Sequence, residues 1–332
     1  MDHFNKKTFE TSRGYTYAYY TYTPEPPTSK PALLFCHGWP DDSSLWQDIV
    51  PALLDLGHRL VIPDLLGYGG TSKPTDYKEY SMKAMSNDLY ELLDSESIDS
   101  VVPVGHDWGS GLAQRVYLYR PERCKALVTL NVAYMAPSPA PFDLAAINST
   151  TEKHFGYPMY AYWDLFAADD GPEILLRHVE TLFHLLHWDH PDGMKTVFCT
   201  YGNTRRLLTT TSPSDYPLKP HAQKAGFKEA FLERMQRDTF EAPQCWYKAF
   251  ARNVQLDDAK VLAEGDLTIR VPCLYIAATE DAVCRTDMIE PVKHLIPDLT
   301  IKPVVAGHWD TYEKPEEVRE ILRQWLKEKF GG

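Results

Sequence analysis

One stretch of this chain leaves few folds open to it: a run of β-branched residues that breaks into a double-glycine turn and restarts as a helix. Val101, Val102 and Val104 have strand character, Gly105, His106, Asp107, Trp108 and Gly109 follow, and residues 110–119 have helical character. Small-x-nucleophile-x-small in this context is an elbow that presents one side chain on strained backbone. Gly105 and Gly109 are required because a Cβ at either position would collide across so sharp a turn. The residue at the tip is Asp107. A carboxylate placed there attacks carbon to give an alkyl ester, which points to an sp³ electrophile rather than an acyl group.

Strand and helix patterns alternate on both sides of the elbow. Residues 8–22 alternate like an edge hairpin turning at Arg13 and Gly14, and residues 32–36 form a short apolar run suited to a strand buried on both faces. A helix is expected over 44–56, capped by Asp42 or Ser43, then a strand over 60–64 and a glycine-rich loop over 66–70. Met82, Met85, Leu89 and Leu92 share one side of a helix over 81–93, and residues 126–132 read as a strand. This rhythm implies right-handed crossovers and a mainly parallel, doubly wound sheet. It breaks at Pro137, Pro139 and Pro141. From there helical patterns take over, near 160–168, 172–187, 225–234 and 242–254, so residues 138–258 read as an inserted helical cap between core segments 1–137 and 259–332. Strands over 271–277 and 300–305, with helices over 288–295 and 315–330, complete the α/β core.

The balance of 34 basic against 46 acidic residues, a net charge of −12, argues against nucleic acid as a partner. No apolar run is long enough to span a bilayer, and residues 1–7 lack the apolar core of a signal peptide. The last residues, 327–332, match no retention or lipidation signal, and the sequon at Asn148 carries little weight without a secretory signal. The six cysteines are scattered, as free buried thiols of a cytoplasmic protein would be. His184, His187 and His190 lie near one another in sequence, but no metal is expected there; histidines at a helix C-terminus are explained by the helix dipole. No cofactor is expected.

Chemistry in a doubly wound sheet gathers where strands end at their carboxyl edge. Four suspicious features fall at such ends: the H-G-W-P run at 37–40, Asp107, Asp281, and the G-H-W run at 307–309. His308 occupies the place of a general base, neutral near pH 7 and able to take a proton from water. Asp281 would orient it, with Glu280 and Asp287 nearby as less favoured acids. The backbone N–H groups of Trp39 and Trp108 could hold an oxyanion. Trp39, Trp108, His37 and Pro40 are the expected substrate contacts; whether Pro40 follows a cis peptide is left open.

Together these motifs resemble the soluble epoxide hydrolases of the α/β-hydrolase fold, over nearly the whole chain. The resemblance implies that Asp107 opens an epoxide, that His308 and Asp281 hydrolyse the resulting ester, and that a vicinal diol leaves. It also implies two cap tyrosines that hydrogen-bond the epoxide oxygen. Trp246, Tyr247 and Lys248 match one family motif, which carries the role to Tyr247. Tyr162, with Phe166 four residues on, matches the other, although residues 167–172 depart from the family pattern and leave Tyr160 as a rival. A small, mainly apolar epoxide and water are the implied partners. The same nucleophile, base and acid would also serve a haloalkane dehalogenase, but Trp39 stands where halide sites commonly carry Asn. A fluoroacetate-type dehalogenase usually has Arg after its nucleophile. A non-catalytic receptor on this fold would not need all three polar residues.

Overall fold

A computed structural model describes residues 4–331; the sequence readings that touch residues 1–3 and 332 lie outside them. Eight strands form one sheet: β1 (Asn5–Glu10), β2 (Thr16–Tyr22), β3 (Ala32–Cys36), β4 (Leu60–Pro63), β5 (Val101–His106), β6 (Leu127–Leu130), β7 (Cys273–Ala278) and β8 (Leu299–Val304). Their spatial order is β1-β2-β4-β3-β5-β6-β7-β8. β1 and β2 are antiparallel, β2 meets β4 antiparallel, and every later pairing is parallel. β3, β5, β6 and β7 are buried along their full length. That is the expected state of central parallel strands covered by helices on both faces, and it explains why they read as apolar runs without alternation.

The elbow lies at the middle of this sheet. β5 runs between β3 and β6 with Leu33 beside Val102 and Cys36 beside Gly105, and α1 (Met82–Ser95) precedes it while α2 (Trp108–Tyr119) leaves it. Ser81 caps α1, its side chain accepting from the Ala84 N–H. Pro103 is tolerated inside β5 because pairing with β6 begins only at Val104, and Pro303 lies on the edge strand β8.

Prolines also account for helices that differ from expectation. The span 44–56 forms two short 3₁₀ segments, Ser43–Trp46 and Val50–Leu56, because Pro51 has no N–H with which to continue an α-helical ladder. Pro291 likewise keeps Thr286–Leu295 in 3₁₀ form. The expected helix over 172–187 is two, Gly171–Arg177 and Val179–Leu186. Leu144–Phe155, Gly193–Phe198, Asn203–Thr210 and Leu256–Ala263 are helices that periodicity did not single out, and the last runs through the 258–259 boundary. Among the described residues no strand interrupts the helical stretch between β6 and β7, and no helix is long and apolar enough to cross a membrane.

A Cβ added to Gly109 would overlap the carbonyl oxygens of Cys36 and His37, which can yield only by moving β3. Gly109→Ala is therefore expected to cost about 3 kcal/mol or more in denaturant unfolding. Gly14→Ala, at φ +79° but in open space, should cost about 1 kcal/mol. Equal costs at the two positions would show that the elbow is not tightly packed.

Candidate active site

Asp107 has φ 52° and ψ −125°, a conformation that a residue with a side chain rarely adopts. The surroundings enforce it. A Cβ on Gly105 would overlap the backbone of Gly109 and Ser110, and Ser110 Oγ lies 2.7 Å from the Gly105 carbonyl oxygen and 2.9 Å from that of Leu130. Gly38 lets the loop after β3 cross directly over the carboxylate, since a Cβ there would overlap the Asp107 side chain. The crossing places the Trp39 N–H 2.8 Å from Asp107 Oδ1.

Asp107 Oδ2 faces His308 Nε2 at 3.5 Å, and His308 Nδ1 is 2.7 Å from Asp281 Oδ2. Asp281 Oδ1 accepts from the N–H groups of Val283 and Cys284 at 2.9 and 3.0 Å. Asn131, which the sequence reading passed over, ties the assembly together. Its Nδ2 donates to Asp281 Oδ2 and to the His308 carbonyl, both at 2.9 Å, from a backbone at φ 65°. Asn tolerates the left-handed region better than most residues, and its place just past β6, on the same sheet edge as Asp281, is the signal that could have found it. His106 Nε2–H donates to the same carbonyl at 2.7 Å.

The charges of the three groups are interdependent. Burial would raise the Asp107 carboxyl, but the His308 hydrogen bond and charge hold it below its ordinary value. Burial would also raise Asp281; the charge and hydrogen bond of His308, with Asn131 and the Val283 N–H, bring it down to about 2. Burial pulls His308 the other way, yet the charge of Asp281 and the hydrogen bonds of Asp107 and Asp281 lift it well above 6.5. Two carboxylates flanking His308 thus favour its protonated form in the free protein, against the neutral ring expected from sequence.

A cavity of about 510 Å³ opens beside Asp107, its wall including Trp108, Tyr160, Tyr162, Trp163 and Phe250. Tyr247 packs against this wall, its ring 5.1 Å from that of Trp108 and 6.0 Å from that of Tyr162. Burial raises both tyrosines well above their ordinary range, and the Asp107 charge adds to the effect in each. Tyr160 differs: after burial, Cys284 and Asp281 are what raise it.

Three expected substrate contacts lie elsewhere. His37 is fully buried; its Nδ1–H donates to the Gly38 carbonyl at 3.0 Å and its Nε2 accepts from the Leu65 N–H at 2.9 Å, so it braces the loop instead of facing the cavity. Pro40, whose peptide bond to Trp39 is cis, lines a separate small cavity with Asp41, Arg234 and Trp309. The Trp39 ring packs on Phe166 at 4.6 Å, and the residue meets the site through its N–H. Of the four, Trp108 lines the cavity. Asp281, Cys284 and His308 bring ligand-type atoms within 4.8 Å of one another, but Asp281 and His308 already hydrogen-bond and Cys284 is pushed up to about 12, chiefly by burial. His187 Nδ1 meets His221 Nε2 at 3.1 Å, and His184 Nδ1 donates to the Tyr216 carbonyl at 2.9 Å.

The depressed pKa of Asp281 carries a stability consequence. Its ionised form contributes stability that is present above its ordinary 3.8 and lost as pH falls through about 2. Asp281→Asn is expected to be less stable than the parent by about 2 kcal/mol near pH 6, counting the His308 pairing once. The gap in unfolding free energy should narrow as pH falls from 4 to 2; a constant gap would contradict the ionic origin.

The matching family model is that of the α/β-hydrolase fold, over residues 31–315. An epoxide hydrolase of Caballeronia sordidicola is 44% identical, over 90% of this chain and 88% of its own. The bifunctional epoxide hydrolase 2 of Rattus norvegicus is 29% identical over 90% of this chain but only 52% of its own, so the chain spans about half the length of that relative. The crystal structure of epoxide hydrolase A from Mycobacterium thermoresistibile superposes with a TM-score of 0.80 at 23% identity over 98% of each chain, a likeness of fold. With the elbow, the buried acid–base pair and the helical stretch between β6 and β7, these similarities show that the chain belongs to the epoxide hydrolase family of the α/β-hydrolase fold.

Proposed function

We propose that this protein hydrolyses epoxides to vicinal diols through a covalent ester on Asp107. The observation that carries the reading is the division of labour between the two oxygens of Asp107. Oδ1 is occupied by the Trp39 N–H, which leaves Oδ2, beside His308, as the attacking atom. Oδ2 attacks an oxirane carbon from behind and the carbon–oxygen bond breaks. Tyr162 and Tyr247 hydrogen-bond the departing oxygen and supply its proton; a strained ether still leaves poorly as a bare alkoxide. Residues 138–258 serve as the cap that carries both tyrosines over a core made of 1–137 and 259–332.

Ester formation removes the negative charge next to His308. One of the influences that raise the ring's pKa is then gone, and the pKa falls. The ring, still oriented by Asp281, releases its proton, which replaces the one the tyrosine pair gave up, and becomes the base for the second stage. It takes a proton from water as the oxygen adds to the ester carbonyl. The oxyanion forms on Oδ1, where the Trp39 and Trp108 N–H groups receive it. Collapse breaks the bond between the carbonyl carbon and Oδ2, and His308 returns the proton to the leaving diol. The aromatic wall suits a small, mainly apolar epoxide. Free cysteines throughout fit a reducing compartment such as the cytoplasm.

Incubation with an aryl epoxide should yield diol, whereas matched haloalkanes should release no halide; the reverse result would assign a dehalogenase. His308→Gln should accumulate a protein adduct heavier by the mass of the epoxide, absent from Asp107→Asn. Tyr162→Phe and Tyr247→Phe should each slow the alkylation step by about 10²-fold or more and leave ester hydrolysis much less affected in stopped-flow traces. Equal slowing of both steps would remove the proton-donor role.

A further inference from the structure

The cavity is not uniformly apolar. Asp107, Gly111, Arg115 and Tyr119 follow one another at intervals of four along α2 and all line it, as residues on one helical face do. Arg115 is the one cationic residue in that lining and Asp107 the one carboxylate. Arg115 Nη1 donates to the Met135 carbonyl at 3.0 Å. Among the described residues it has no further hydrogen bond, and no carboxylate lies within 4.0 Å. Most other arginines have a carboxylate within 4.0 Å, as in Arg13–Asp88 and Arg285–Asp287, although Arg120 and Arg206 do not. Burial lowers the Arg115 pKa, opposed by Tyr134 and Tyr119 alone. Arg115 is half-buried, and a guanidinium drawn partly out of water without an acid partner is unfavourable; in a protein with a net charge of −12 the lack of one is not a lack of acids.

We propose that Arg115 is a specificity residue for an anionic substrate: an epoxide that carries a carboxylate at its far end. The inference rests on the epoxide-hydrolase reading of the same cavity and goes beyond it by naming the second recognition element. With Nη1 engaged, the edge formed by Nε and Nη2 remains, and that edge matches a carboxylate bidentately. One guanidinium in an apolar lining suits a monoanion better than a phosphate dianion, which would bring uncompensated charge into the cavity. Eight residues of α2 separate Arg115 from Asp107, a rise of about 12 Å. Gly111 lies between them, and Met135 Cε packs over it, 3.1 Å from where a Cβ would stand, so the Met135 side chain borders the path between nucleophile and guanidinium. The chain joining oxirane and acid then spans at most about 12 Å, less whatever the Arg115 side chain covers.

The experiment compares terminal epoxides bearing an ω-carboxylate with their methyl esters, at matched chain length. The parent protein should favour the acid in kcat/KM by about tenfold to hundredfold, the value of one charge-assisted contact, mostly through KM. Arg115→Met should collapse that acid-to-ester ratio toward one, and Arg115→Lys should restore part of it. A parent ratio near one, which needs no variant, overturns the proposal, as does an Arg115→Met protein that loses both activities in equal proportion. If neither substrate yields diol, the epoxide reading falls separately. The corresponding diol acid and its methyl ester are then compared by calorimetric titration, and equal affinities overturn the anion site.

Discussion

Everything in this site depends on three stretches of backbone approaching one carboxylate more closely than side chains would allow. The loop after β3 crosses Asp107 at Gly38, the strand behind it turns at Gly105, and α2 starts against the β3 carbonyls at Gly109. The approach gives one carboxylate oxygen a fixed N–H donor and leaves the other exposed to the cavity and to His308. Strain at Asp107 is a consequence of the same packing. A side chain held at φ 52° has little freedom to turn away, so its orientation is set before any ligand arrives.

Electrostatics then make the site sequential. The two carboxylates beside His308 both favour its protonated form, which is a poor base. On the proposed route, neutralising one of those carboxylates by esterification releases the ring to act on water. The order of the two stages thus follows from charge. Asn131 matters here because it restrains both Asp281 and the His308 backbone, keeping the acid–base pair aligned while its protonation changes.

Much of this was legible in the sequence, and the reasons differ by feature. The central strands were plain because burial on both faces leaves continuous apolar runs such as residues 32–36. The elbow and the acid–base pair were plain because glycine spacing and strand ends are local signals. Short helices, such as Asn203–Thr210 with its 8 residues, were missed because so few turns hardly establish a period, and Pro51 divided a stretch whose apolar spacing looked continuous. His37 was misread because a histidine at a strand end looks the same whether it faces a ligand or braces a loop; only its two hydrogen bonds distinguish these roles. The influences on His308 protonation were hidden for a similar reason, since they come from two carboxylates brought near it from distant parts of the chain. Arg115 was unremarkable in a helical pattern and gains meaning only from the cavity it enters.

The most direct test of the covalent route is a single-turnover reaction of an epoxide with excess protein in ¹⁸O-water, followed by mass analysis of the diol and of the peptide containing Asp107. The first diol should be unlabelled, its new oxygen having come from Asp107, and the label should appear in the Asp107 carboxylate. A first diol already carrying ¹⁸O would mean that water attacks the epoxide directly and that no ester forms.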